Sequence, residues 1–69
     1  MTKLDAQVVL TFADCNMNAA EAGRRMYMHR NSVTYHLDKV KRDTGLDAQN
    51  FYDLIKLVDM AMEEQKNEQ

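Results

Sequence analysis

The sequence predicts an all-α fold, a compact bundle of about four helices that contains a helix-turn-helix. Three observations carry that expectation. The 69 residues include no proline and only two glycines, Gly23 and Gly45, a composition suited to helices with short connections. Apolar residues recur at helical spacing in separate stretches of the chain. Helix start and stop residues fall between those stretches.

In helix 1, Leu4, Val8, Phe12 and Cys15 recur at i, i+4, i+8 and i+11, one face at 3.6 residues per turn. Val9, Leu10 and Ala13 widen that face, so the helix touches more than one neighbour or partly meets a partner. It is expected to end near Asp14 to Asn16, with Asn16-Met17-Asn18 as a loop. Asn18 followed by Glu21 reads as a capping box that opens a short helix 2 from Ala19 to Met26. Its small residues Ala19, Ala20, Ala22 and Gly23 permit close approach of another helix. Tyr27-Met28-His29 forms a turn, and helix 3 is expected from Arg30 to Thr44, with Val33, Leu37, Val40 and Thr44 on its inner side. Gly45 stops it in the left-handed conformation. Asp47 to Asn50 is a connector or a single turn, with Asn50 or Asp47 as cap. Helix 4 then carries Phe51, Leu54, Ile55, Val58, Ala61 and Met62 at helical spacing, widened by Leu57. The whole chain, 1–69, reads as one domain with its core at about 4–62, and the polar tail from Glu63 to Gln69 is expected to fray.

A chain of this length buries only about 60% of its unfolded surface, which leaves no room for a deep substrate cavity or small-molecule site. One cysteine excludes an internal disulfide framework. No apolar run approaches the ~20 residues of a membrane span, and the N-terminus lacks a signal-peptide core, so a cytoplasmic protein without membrane contact is expected. Formal net charge is −2, yet from Ala22 to Arg42 six cations (Arg24, Arg25, Arg30, Lys39, Lys41, Arg42) face Asp38 alone. A basic middle between acidic ends attracts phosphates through its local potential.

A short small-residue helix, a three-residue turn and a longer helix with a polar outer face together form a helix-turn-helix pattern. In such a pattern the start of helix 3 enters the major groove. Arg30 suits a bidentate contact to guanine O6 and N7 or a phosphate, and Asn31 suits adenine N6 and N7. Thr34 and Tyr35 offer hydroxyls and apolar surface for a thymine methyl. Arg24, Arg25, Ser32, Lys39, Lys41 and Arg42 are cast as phosphate contacts, which supply affinity without reading sequence.

The run Met28-His29-Arg30-Asn31-Ser32-Val33-Thr34-Tyr35-His36-Leu37, continued by Asp43-Thr44-Gly45-Leu46-Asp47, resembles the C-terminal helix-turn-helix domain of PucR/CdaR-type bacterial transcriptional regulators. The Asn16-Met17-Asn18 loop is similar to that family's Asn-Gly-Asn loop, and Fis-like helix-turn-helix proteins are a more distant relative. The resemblance covers approximately residues 4 to 62. It implies a bacterial regulator or its DNA-binding module, with a sensory region ahead of this domain in longer relatives. Family members commonly carry Arg at the positions of Thr34 and His36 and Gly at Met17, so the phosphate grip and base choice are altered here.

Other chemistry finds little support. His29 and His36 lie seven apart, about 10 Å along a helix, too far to chelate one metal. His29 reads instead as a residue of the helix 3 N-cap, and His36 as a boundary residue able to approach a phosphate. Cys15 reads as a buried small hydrophobe, and the methionines as gap-fillers, although Met60 and Met62 with Leu57 could form a dimer patch. Tyr27 is a lid over the helix 2–helix 3 contact or a phosphate contact, and the lid is favoured. No nucleophile–base pair, metal set or phosphate loop is present, so neither enzyme activity nor a cofactor is expected. The expected function is sequence-dependent duplex DNA binding as a homodimer on paired half-sites. The competing expectation is a small helical protein-interaction module, an adaptor or antiregulator, using the apolar faces of helices 1 and 4.

Overall fold

The computed structural model describes residues 1–66, which form four helices: α1 Lys3–Asp14, α2 Ala19–Met26, α3 Arg30–Thr44 and α4 Phe51–Lys66. No strand occurs among the described residues. The wide apolar surface of α1 is explained by its position, since it packs against each of the other three helices, whereas α4 packs against α1 alone. Ala6, Val8, Val9 and Phe12 of α1 are therefore almost fully buried, together with Val33, Leu37 and Val40 of α3 and Leu54, Leu57 and Ala61 of α4. Each large apolar side chain buried this way contributes about 1.5–3 kcal/mol before the entropy of ordering it is counted.

Leu4 departs from the expected stripe and is 46% exposed. The residue beside it, Asp5, is the one that turns inward, and its side chain is fully buried. Thr2 and Asp5 form a complete capping box at the start of α1. The Asp5 carboxylate also accepts from His36 Nδ1 at 2.9 Å and pairs with Lys39 Nζ at 3.2 Å, both on α3. Burial alone would push its carboxyl up, but hydrogen bonds from the Thr2 backbone, His36, Lys39 and the Thr2 side chain outweigh it and hold the pKa at about 2.

The loop after α1 places both Asn16 and Met17 at positive φ, 57° and 65°. Met17 thus stands in a conformation that glycine adopts without steric cost, and its side chain packs against the core instead. At the start of α2, Asn18 Oδ1 accepts from the Glu21 N–H as expected. Glu21 does not return the bond, however; its carboxylate pairs with Arg24, and the Asn18 N–H bonds Cys15 O. Asp47 to Asn50 is a single turn closed by Asn50 N–H to Asp47 O. Asn50 is the cap of α4, its Oδ1 accepting from the N–H groups of Tyr52 and Asp53.

Part of the polar tail that the sequence expects to fray is helical, since α4 continues to Lys66. Lys3 Nζ donates to Glu64 O at 3.0 Å and Gln65 Nε2 donates to Lys3 O at 3.3 Å, so the last turn is tied to the start of α1. The remainder of that expected tail, residues 67 to 69, lies outside the described residues.

Asp5 links stability to pH with a definite sign. Its folded pKa lies below the unfolded value, so its contribution is present above pH 4 and is lost as the pH falls towards 2. Asp5→Asn is expected to cost roughly 2 kcal/mol at neutral pH and to flatten the loss of stability between about pH 4 and 2. Urea unfolding of both proteins across that range checks it; equal slopes with pH would contradict the assignment.

Candidate nucleic-acid interface

The angle between α2 and α3 depends on Gly23. A Cβ at this position would lie 2.6 Å from the carbonyl oxygen of Met28 and 3.2 Å from the backbone nitrogen of Arg30. The close approach is therefore between α2 and the backbone of the turn as it enters α3, and any side chain would push the turn outward. The turn itself is tight. Tyr27 ends α2 in the left-handed region at φ 58°, and the Met28 N–H bonds Gly23 O at 2.9 Å.

His29 is the N-cap of α3, as its position suggested. Its Nδ1 accepts from the Asn31 N–H at 3.0 Å, which places the hydrogen of the neutral ring on Nε2. The first turn of α3 is then set, and its exposed residues are Arg30, Asn31 and Ser32, with Tyr35 one turn further on. Thr34 is half-buried, and its hydroxyl donates to Asn31 O at 3.1 Å. It is left with a lone pair and a methyl group to offer, but its hydrogen is already used. The Tyr35 ring is 58% exposed and meets His36 edge-on at 5.4 Å.

The cations divide into two groups. Lys39 is held by buried Asp5, Arg24 by Glu21 and Lys41 by Asp47 at 3.5 Å. The Arg24 pair holds the Glu21 carboxyl below its usual range, and the backbone N–H of Gln49, more than Lys41, does the same for Asp47. Arg25, Arg30 and Arg42 are exposed and make no ion pair among the described residues. The structure thus leaves Arg30, Asn31, Ser32 and Tyr35 exposed along the first turns of α3, and three arginines without an ion pair among the described residues. Asp5 was the participant that pattern reasoning missed. The signal for it was the Thr2-x-x-Asp5 spacing, a capping box that places an acid one turn into α1.

Tyr27 is 97% exposed, so it is not a lid over the α2–α3 contact. Its left-handed backbone sends the side chain away from that contact into solvent. Among the described residues no group of three His, Cys, Asp or Glu side chains could hold a metal ion. No helix among the described residues is long and apolar enough to cross a membrane. An apolar groove of about 390 Å³, open to solvent, lies between the end of α1 and α4, lined by Ala13, Met17, Phe51, Leu54, Ile55 and Val58 among others.

A helix braced at a glycine, a capped turn and a second helix with a polar, arginine-bearing outer face is the arrangement of a helix-turn-helix. The family profile for the PucR C-terminal helix-turn-helix domain matches residues 6–62. The chain belongs to this family. Searches of curated proteins and of solved structures each return no significant match. The PucR-type domain is a DNA-binding regulatory domain and not a catalytic one, and here it spans all four helices, from the second turn of α1 to the last turns of α4.

Gly23→Ala tests the brace. Alanine is favoured over glycine in a helix by about 1 kcal/mol, but overpacking against backbone costs about 1–3 kcal/mol. The carbonyl at 2.6 Å makes the second effect win. A lower melting temperature than wild type is the expected result, and a raised one would show that the turn has room to move.

Proposed function

We propose that the protein binds duplex DNA in a sequence-dependent manner as a bacterial transcriptional regulator, or as the DNA-binding module of one, with the first turns of α3 in the major groove. The observation that carries this reading is the pairing of exposed Arg30 and Asn31 at a capped helix start with uncommitted Arg25 and Arg42 nearby in sequence. Arg30 and Asn31 are the base-reading pair, through guanine O6 and N7 and adenine N6 and N7. Thr34 contributes its methyl group and acceptor, and Tyr35 its ring edge or hydroxyl. Arg25, Arg42 and Ser32 hold phosphates, joined by Arg24 and Lys41 when their exposed carboxylate partners exchange for phosphate. Lys39 is shared with Asp5, so its phosphate contact adds less charge than that of an unpaired lysine.

The whole chain acts in this reading as one cytoplasmic DNA-binding domain that works as a homodimer on paired half-sites. Half-sites are spaced by about 34 Å in such complexes. A domain whose backbone spans 27 Å along its longest axis is comparable in size to that spacing. No cofactor or small molecule is required by this activity.

A second reading, a helical protein-interaction module, is favoured by one observation: Phe51, Ile55 and Met62 leave α4 with an exposed apolar surface beside the groove. Titration of a random duplex pool at two salt concentrations separates the two. A phosphate-holding domain loses affinity steeply, with a slope near −0.9 per phosphate neutralised, whereas an adaptor binds negligibly at both.

Residue roles are tested on a duplex selected in vitro. Arg30→Ala is expected to cost roughly 1–3 kcal/mol and to relax preference at one base pair. Arg42→Ala is expected to weaken all sequences about equally and to reduce the salt slope by about 1. The same sequence-independent loss for both variants would refute direct readout by Arg30.

A further inference from the structure

The tight turn, closed by the Met28 N–H to Gly23 O bond, accounts for the backbone of Tyr27 but not for a tyrosine there. It ends α2 at φ 58° and ψ 43°, in the left-handed region where the Cβ of an L-residue crowds the backbone and glycine or asparagine fits better. Its side chain is 97% exposed, so almost no apolar burial offsets that cost. Its hydroxyl makes no hydrogen bond among the described residues. Strain held at a residue that gains nothing from packing is characteristic of a contact surface.

The surroundings indicate the ligand. Tyr27 lies between Arg25, exposed and without an ion pair among the described residues, and the run Met28-His29-Arg30 that leads into the reading end of α3. When the first turn of a recognition helix enters the major groove, the helix before it crosses the DNA backbone, so the turn that joins the two passes between the bases and the phosphates. A phenol O–H is among the donors that bind phosphate oxygens there and set the register of the helix on the duplex.

We infer that Tyr27 is a DNA-backbone contact, its hydroxyl donating to a phosphate oxygen beside the bases read by Arg30. The inference rests on the DNA-binding reading above. The neutral hydroxyl displaces no counterion, so this contact adds affinity without adding to the salt dependence, unlike the arginines around it. It also carries no base preference, and in that respect differs from Arg30.

The test compares wild type, Tyr27→Gly, Tyr27→Phe and Arg30→Ala for melting temperature and for affinity to a selected duplex and to scrambled duplexes at two salt concentrations. Tyr27→Gly suits the backbone conformation and is expected to fold. Both Tyr27 variants are expected to bind about three- to tenfold more weakly on every duplex, with the salt slope unchanged. If Arg30→Ala weakens binding while Tyr27→Gly or Tyr27→Phe binds as tightly as wild type, the contact at Tyr27 is refuted and the DNA-binding reading stands. If wild type binds no duplex at all, both fall together. Unfolded Tyr27→Gly alongside folded, fully binding Tyr27→Phe would assign the residue to stability and overturn the inference.

Discussion

The burial of α1 on several sides is the constraint on which the rest of the structure depends. A 12-residue helix that gives up the exposure of Ala6, Val8, Val9 and Phe12 can do so only by contacting α2, α3 and α4 at once. No other helix does this. The helix-turn-helix pair is therefore not self-supporting: α2 and α3 meet at Gly23 and the turn, but the floor beneath both is α1. α4 covers the other side of α1 and is joined to its start by the hydrogen bonds of Lys3 with Glu64 and Gln65. Such an arrangement concentrates the limited apolar surface of a small chain in one place, where each residue contacts several neighbours.

Within that apolar contact sits one charge. Asp5 is stable as a carboxylate because its acceptor capacity is filled by the Thr2 cap, His36 and Lys39. The same group that starts α1 thereby fixes the rotation of α3 about its axis. A helix held only by Val33, Leu37 and Val40 could rotate by a few degrees at small cost, since apolar contact is non-directional. Two directed contacts to one carboxylate remove that freedom. The consequence is that Asn31 at the start of α3 and Arg42 near its end, on the side opposite Val33, hold a defined orientation, with Arg30 on the flank beside α2. The partition of the cations follows from the same cause, because Lys39 is drawn inward while the arginines are left outside.

Helix boundaries were largely legible because their causes are local. Asn18, His29 and Asn50 cap the helices that follow them, and Gly45 at φ 79° ends α3. The inner face of α3 was legible for a similar reason, since periodicity alone separates Val33, Leu37 and Val40 from Asn31, Tyr35 and Asp38. Three features were not legible. Leu4 and Asp5 exchange the roles that hydropathy assigns them, because a satisfied carboxylate tolerates burial and a leucine at a helix start does not require it. The last turn of α4 is polar in sequence and is tied to the rest of the structure by Lys3. Met17 and Tyr27 sit in left-handed backbone that their residue types disfavour, a consequence of how tightly the two turns must close.

The acceptor, donor and charge chemistry of the first turn of α3 was determined by the sequence alone, because Arg30 and Asn31 have the same hydrogen-bonding groups in any fold. The family pattern carried by His29 to Leu37 and Asp43 to Asp47 was equally independent of geometry. Only the tertiary structure decided which of the surrounding groups remain available to a ligand. Long-range pairing engages Lys39 and His36 with an aspartate more than thirty residues away, and backbone closure at Gly23 turned Tyr27 outward. Charge pairing and turn strain depend on which atoms meet in space, and a linear pattern does not contain that information.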